Sequence, residues 1–297
     1  MNDRARPPQP EFACPACRVV LEDDTCPGCQ AHYERAASGF LDCSPERFGD
    51  WFTHDAASAA QWDTESSVDE ELGQRHRVDW LLRHLHARGI APNTVLCVGC
   101  GVGADVQRFR EKGVAAWGID PGSRTVRWAA RGCGDVFAHA SGTAIPFTDN
   151  QFDLIFSDGV VEHVGTLEGG TRLAVDWQQQ RQTFARECLR VLRPNGQIAV
   201  GCPNRLFPID IFHDGIQVAG GHIRPHPPWE RFLLSPGDVK ALFSPHAVEP
   251  LSTAGLFNEG RLSPPMRVVA YILGRLPRPV NPYLMTLVTK RDRVAQA

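Results

Sequence analysis

Three groups of residues in this sequence have the types and spacing to do chemistry. The first is Val95-Leu96-Cys97-Val98-Gly99-Cys100-Gly101-Val102-Gly103, followed seventeen residues after Gly103 by Asp120. Glycines at alternate positions let a ligand approach the backbone and the N-terminus of the next helix, where amide N–H groups point outward. An acid closing the apolar run Ala115 to Ile119 can accept both hydroxyls of a ribose. Together they read as a site for a nucleoside-containing cofactor, with a mere tight turn as the plainer alternative. The second group is Cys14, Cys17, Cys26 and Cys29, two C-x-x-C pairs. Each pair can form a knuckle that points two thiolates at one ion, and two knuckles make a closed tetrahedral zinc site, with His32 as a substitute ligand. A closed site does no chemistry, so its expected role is to fold a segment too short to bury its own core. The third group is histidines. His163, directly after Glu162, and His213, in Pro208 to Asp214, are candidate bases or substrate contacts, set against the plain reading of hydrogen-bonded structural histidines. His222 and His226 flank Arg224 and read as solvent-exposed loop residues in preference to a metal site.

These residues need a scaffold, and the apolar pattern supplies one. Val95 to Val98 is a strand that runs through the glycine turn into a helix carrying Val102, Val106 and Phe109. Strands follow at Ala115–Ile119, near Val136–Ala138, at Phe152–Phe156 and at Gln197–Gly201. Helices lie between them, after Pro121-Gly122-Ser123 and between Thr171 and Leu192. Strand and helix alternating from 94 to 202 predict a doubly wound, mostly parallel α/β sheet. Val248–Leu251 and Tyr283–Thr289 are the expected closing antiparallel pair, which makes seven strands. Arg75–His86 is a helix with Val78, Leu81, Leu82 and Leu85 on one face, and Arg75, His76 and Arg77 near its start read as solvated surface. Residues 203–235 are proline-rich and irregular, a functional loop over the site. Met266–Leu276 is an apolar helix read as core or cap, ahead of a lipid-facing or dimer role.

Length and composition bound the reading. The chain has 297 residues, enough for one medium domain with an appendage, and 42% of them are hydrophobic, enough for a packed core. A net charge of −3 gives no bulk attraction to nucleic acid, though a local patch is not excluded. No stretch has the make-up of a signal peptide or a membrane span. Ten cysteines without such a signal point to reduced thiols and metal ligation in a cytoplasmic protein. The expected organisation is a disordered tail (1–10), a zinc ribbon (11–43), a linker or cap (44–74) with Trp51, Phe52 and Trp62 against another surface, and a cofactor-binding domain (75–297). Homo-oligomerisation is left open.

Two resemblances sharpen this. The two knuckles with Tyr33 and Ser38-Gly39-Phe40-Leu41 resemble the zinc ribbon of methyltransferase activator proteins, which is also fused ahead of many bacterial methyltransferases, including a group acting on ribosomal RNA guanine. The order VLCVGCGVG, GID, IPF, FDLIFSDGVVEHV, RVLRPNGQIAVGCPN resembles the class I S-adenosylmethionine-dependent methyltransferases. The branch with Glu-His after strand four and Pro-Asn after strand five acts on quinones, sugars, lipids or natural products. The resemblance implies that Gly99, Gly101 and Gly103 pass under the methionine moiety and that Asp120, with Pro121 after it, takes the ribose. It implies that Ser141, Gly142 and Thr143 face the adenine and that Ser157 and Asp158 flank the sulfonium. Ser141 and Cys97 stand where the family commonly has acids. The expected activity is methyl transfer to a small-molecule acceptor, oxygen favoured. The alternatives are an RNA base methyltransferase, a non-catalytic ribbon adaptor with a relic cofactor fold, and a nicotinamide dehydrogenase. Ile145-Pro146-Phe147 and Glu162-His163 argue against the last.

Overall fold

Runs such as Thr94–Val98, buried at every position, become central strands because both of their faces can be covered by helices. In the computed structural model β1 (Leu41–Asp42), β2 (Thr94–Val98), β3 (Ala115–Asp120), β4 (Phe137–His139), β5 (Phe152–Asp158), β6 (Leu192–Pro203), β10 (Ala247–Pro250) and β11 (Tyr283–Thr289) form one sheet. Its order is β1-β4-β3-β2-β5-β6-β11-β10. The strands from β1 to β6 pair in parallel, whereas β11 pairs antiparallel with both β6 and β10. Helices α1 (Ala56–His86), α2 (Ala104–Glu111), α3 (Trp177–Val191) and α4 (Pro236–Leu242) accompany the sheet. This is the doubly wound α/β fold expected. The structure describes residues 9–43, 56–167, 170–213, 216–218, 221–256, 268, 271–277 and 280–291. Residues 1–8 of the expected tail, Trp51, Phe52, Met266 and Arg267 lie outside them, as does the side chain of Trp62.

Several elements differ from the pattern reading. An eighth strand joins the expected seven because Leu41–Asp42, at the end of the ribbon segment, pairs with Ala138–His139. The helix expected from Arg75 starts at Ala56, so part of the expected linker is helical. The segment after Asp120 is a 3-10 helix (Ser123–Arg131). Strand β6 begins at Leu192, since Arg193–Gly196 bulges out between the pairs Phe152–Leu192 and Leu154–Gln197. The stretch 203–235 is not irregular throughout. It holds β7 (Ile209–Asp210), β8 (Ile216–Val218) and β9 (Gly221–Pro225), a small antiparallel sheet of order β7-β9-β8. No described helix is long and apolar enough to cross a membrane.

The ribbon segment is tied to the sheet at three points. Ala13 N–H donates to the Pro146 carbonyl at 2.9 Å, and Phe12 lies on Phe147 with ring centroids 4.9 Å apart. Arg18 pairs with Glu187 at 3.1 Å, and the other oxygen of Glu187 accepts Ile145 N–H at 3.0 Å. His139 bridges Asp42 (2.8 Å) and the Pro121 carbonyl (3.0 Å). A cavity of about 850 Å3 lined by Phe12, Leu21, Arg35, Arg110 and Trp117 opens beside the starts of β2 and β3. That end of the strands is the one remote from the glycine turn.

Candidate active site

The chain leaves β2 toward β3 on one side, and β5 pairs with β2 on the other. The strand order therefore reverses between β2 and β5, and ligands of open α/β sheets bind outside the C-terminal ends of strands at such a point. Those two ends carry Gly99–Gly103 and Ser157–Asp158, so the fold brings the predicted residues to one crevice. Asp120, ending β3, holds the turn in shape: Oδ2 accepts Gly101 N–H at 2.8 Å and Oδ1 accepts Gly122 N–H at 2.7 Å. Gly101 has φ +50°, and a Cβ there would strike the carboxylate of Glu70, so glycine is needed both for the turn and for the close approach of α1. Trp128 Nε1 donates to the Gly101 carbonyl at 2.9 Å. The loop between β4 and β5 brings Ser141 Oγ to 2.8 Å from Thr143 Oγ1, with Gly142 packed so closely on Phe184 that a Cβ would sit 2.8 Å from its ring. The Ser157 hydroxyl is buried without a hydrogen-bond partner.

Helix α1 contributes residues that the pattern reading missed. Glu70, Gln74 and Arg77 sit at i, i+4 and i+7, on one face turned to the glycine loop. Gln74 Oε1 accepts from Ala104 N (2.9 Å) and Asp105 N (3.3 Å), which caps α2 from outside, while its Nε2 donates to the Cys100 carbonyl at 3.0 Å. Glu70 pairs with Arg124, and burial pushes its carboxyl up against that partner. Arg77 is not solvated surface: it forms an ion pair with Asp158 at 2.7 Å. The opposite oxygen of Asp158 accepts the Tyr283 hydroxyl at 2.6 Å. The i, i+4, i+7 spacing is the signal that the sequence holds for them.

Beyond β5 lies a second, largely buried polar cluster, with His163 and Arg224 partly exposed. Glu162 is 1% exposed, with Oε2 lacking a hydrogen-bond partner, and burial pushes its carboxyl up to about 7. The next residue, His163, has its Nε2 3.1 Å from Nε2 of His213, and burial pushes the His163 imidazole down to about 3. On its other side His213 Nδ1 lies 2.7 Å from Asp210 Oδ2. Asp210 also accepts Phe212 N–H at 2.9 Å and Arg224 at 2.9 Å. Burial pushes the Asp210 carboxyl up, yet these bonds, His213 foremost, outweigh it and hold the group well below the usual carboxylate range. Phe232 closes over both imidazoles with centroids 5.5 and 4.8 Å away. Thus β7, the segment after β5 and the loop following β9 assemble two histidines fifty residues apart in sequence. His226 is not exposed either: it is 8% accessible, with Nδ1 3.6 Å from Glu230.

In the ribbon segment, Cys14, Cys17, Cys26 and Cys29 present their sulfurs within 4.8 Å of one another. Cys14 Sγ and Cys29 Sγ are 3.8 Å apart, close to the edge of about 3.8 Å expected of a tetrahedron with Zn–S bonds of about 2.3 Å. Tyr33 Oη and Cys17 N approach Cys14 Sγ at 3.1 and 3.3 Å, contacts that suit a thiolate. Burial pushes the Cys14 thiol up, but its hydrogen bonds, that of Tyr33 foremost, bring it down to about 6. His32 turns its Nδ1 to Thr25 Oγ1 at 3.0 Å and takes no part in the cluster.

Comparison with known proteins joins the crevice to a family. Residues 96–200, from β2 to β6, match the methyltransferase domain family. The chain is 32% identical over 127 residues to a malonyl-[acyl-carrier protein] O-methyltransferase of Enterobacter lignolyticus, covering 42% of this chain and 44% of that protein. It is 35% identical over 123 residues to an uncharacterized methyltransferase of Mycobacterium avium, covering 40% and 43%. It therefore spans less than half the length of these relatives. Among solved structures, Burkholderia thailandensis 1,6-didemethyltoxoflavin-N1-methyltransferase matches with a TM-score of 0.46 and 16% identity, covering 80% of this chain and 87% of that one. The family match falls on the strands that build the crevice, so residues 96–200 carry a methyltransferase domain.

Proposed function

We propose that the chain transfers the sulfonium methyl group of S-adenosylmethionine to a small-molecule acceptor, with oxygen as the favoured nucleophile. The observation that carries the reading is Asp120 clasped by the glycine turn. Its carboxylate oxygens accept Gly101 N–H and Gly122 N–H, which holds an acid at the end of β3 beside the glycine turn, where a ribose would lie, so the residues fit the cofactor. Gly99, Gly101 and Gly103 would lie under the methionine moiety, Pro121 beside the ribose, Ser141, Gly142 and Thr143 at the adenine, and Ser157 and Asp158 at the sulfonium. The cofactor supplies an already activated methyl carbon. The protein has to align the nucleophile with it and exclude water.

In this step the bond from methyl carbon to sulfur breaks, a bond from the acceptor oxygen to that carbon forms, and S-adenosylhomocysteine leaves. The hydroxyl proton must go to a base. Asp210, accepting from Arg224 and backbone N–H, is an acceptor only, so the proton in its bond with His213 belongs to Nδ1. Nε2 of neutral His213 is then an acceptor, and Nε2 of His163 donates to it. His163 Nδ1 is left as the basic atom, with His213 and Asp210 behind it to stabilise the cation it becomes. His163 is thus the proposed catalytic base and His213 its positioning residue. An oxygen acceptor accords with the Enterobacter relative, which is named an O-methyltransferase.

Purified protein incubated with methyl-tritiated S-adenosylmethionine and fractionated small-molecule extracts tests the reading. A labelled product heavier than its precursor by about 14 daltons, one methyl replacing one hydrogen, is expected, and its loss in His163→Gln with cofactor affinity unchanged supports the base. Transfer of label only to RNA, or no cofactor binding at all, would overturn it. The four cysteines are read in the same way as ligands of a structural zinc. Metal analysis should give zinc in the isolated protein, lost in Cys14→Ser, whereas a zinc-free wild type would exclude it.

A further inference from the structure

We propose that Glu162, His163 and His213 form a second metal site, for one divalent cation of the zinc, cobalt or nickel type. The two Nε2 atoms face each other at 3.1 Å, and two imidazole nitrogens each about 2.0–2.1 Å from one tetrahedral ion would stand about 3.3 Å apart. Glu162, His163 and His213 each offer one ligand atom, and the three atoms lie within 4.8 Å of one another, so an ion drawing them together needs only side-chain movement. Glu162 supplies the independent sign of a missing ligand: a side chain 1% exposed whose Oε2 has no hydrogen-bond partner. Such an atom is costly to bury unless something satisfies it.

The surroundings suit a cation. Asp210 holds His213 Nδ1 at 2.7 Å, the carboxylate–histidine arrangement that fixes a ligating imidazole with its other nitrogen aimed at the ion. Arg224 braces Asp210 in turn. Besides Arg224, which Asp210 neutralises, the cation facing the cluster is Arg181. Its guanidinium donates to the carbonyls of Glu162, Val164, Arg231 and Phe232, and no hydrogen bond runs from it to the Glu162 carboxylate. Two nitrogens and one oxygen favour a transition ion over magnesium or calcium, and three protein ligands leave a position open, as in catalytic and not in structural zinc sites. The ion needs a lone pair on both Nε2 atoms, so the proton that His163 Nε2 donates to His213 would have to move to His163 Nδ1, the atom read above as basic. On the reading of His163 as base, a metal-loaded chain would therefore be held in an inactive form. That consequence rests on the proposed function; the binding itself does not.

The test is a cobalt(II) titration of the full chain with zinc in its four-cysteine site, read by visible absorption without turnover. We expect one further equivalent to bind, with the bands of nitrogen and oxygen coordination and no thiolate charge transfer, and magnesium not to displace it. Two zinc equivalents per isolated chain, the second exchangeable for cobalt, would support the site equally. The further equivalent should be lost in Glu162→Gln and in His213→Asn, each checked by thermal unfolding, and kept in Cys14→Ser. A wild type that binds no metal beyond the four cysteines overturns the proposal, as does a further equivalent that survives in both variants. Failure to transfer methyl groups would leave this result unchanged, so the two readings fail separately.

Discussion

Replacing Asp120 with alanine should damage two things that can be measured apart. In the structure each carboxylate oxygen accepts one backbone N–H, from Gly101 at 2.8 Å and Gly122 at 2.7 Å, before any cofactor arrives. Hydrogen bonds to a charged group contribute about 1.5–3 kcal/mol each, and the site is only part-buried, so the low end applies and the loss is about 3 kcal/mol. That loss should be visible as a lower urea midpoint in the protein without cofactor. The ribose hydroxyls would lose two further bonds of similar size, another 3 kcal/mol or so, which is about 100-fold in affinity. Isothermal titration with S-adenosylmethionine and S-adenosylhomocysteine reads the second effect, and both ligands should weaken alike because both carry the ribose. Asp120→Asn keeps one acceptor but turns an N–H donor toward a backbone N–H, and should fall between. An Asp120→Ala protein that unfolds earlier yet binds cofactor with unchanged affinity would refute the ribose assignment, leaving Asp120 as a mere clasp of the turn.

Three further outcomes follow from the same geometry. Burial pushes Asp105 up to about 7, above the value of about 3.9 expected in the unfolded chain. The folded form thus holds the proton more tightly, so this stability is full below about pH 4 and lost as pH rises through 7. The ceiling is on the order of 4 kcal/mol, and urea midpoints should show Asp105→Asn gaining on the wild type between about pH 4 and about pH 7, the bounds set by those two values; parallel curves would exclude a buried acid at this position. Gln74→Ala uncaps α2 and should lower stability by about 1–2 kcal/mol while weakening cofactor binding, a change absent if Gln74 only fills space. Glu187→Ala removes one of two carboxylate partners of Arg190, which keeps Asp149 at 3.0 Å and the carbonyls of Phe147 and Ile145, and should cost about 1–3 kcal/mol in chemical unfolding. The same variant frees Ile145 N–H from its partner and so should loosen the 141–147 loop, read as faster amide exchange at Ile145.

The sheet was legible because each of its central strands is a short apolar run followed by a turn signal, and burial on both faces leaves no other place for such a run. The glycine turn and Asp120 were legible for the same reason: local backbone demands select residue types at fixed spacing. The ribbon cysteines were legible as a spacing, but not the strand at Leu41–Asp42, because two residues carry no period and their pairing with Ala138–His139 is a tertiary fact. The loop 203–235 read as irregular because prolines and glycines obscure strands of two to five residues that exist only as partners of one another.

The candidate site divides along the same line. His163 was readable from its place after β5, and His213 as a candidate in the right stretch, but their meeting was not, since it depends on how β7 folds back over that strand. Asp210 could not be singled out from sequence, for an acid three residues before a histidine is common on any surface. What distinguishes it is complete burial among His213, Arg224 and the backbone N–H of Phe212. Glu70, Gln74 and Arg77 illustrate the converse. Their spacing was plain, but polar residues on a helix are expected to meet solvent, and only the approach of α1 to the Gly99–Gly103 turn converts that face into a wall of the crevice. Local chemistry writes the glycine turn and Asp120 into contiguous residues; the buried cluster beyond β5 is composed by packing, and it is there that the ligands of the proposed metal ion come together.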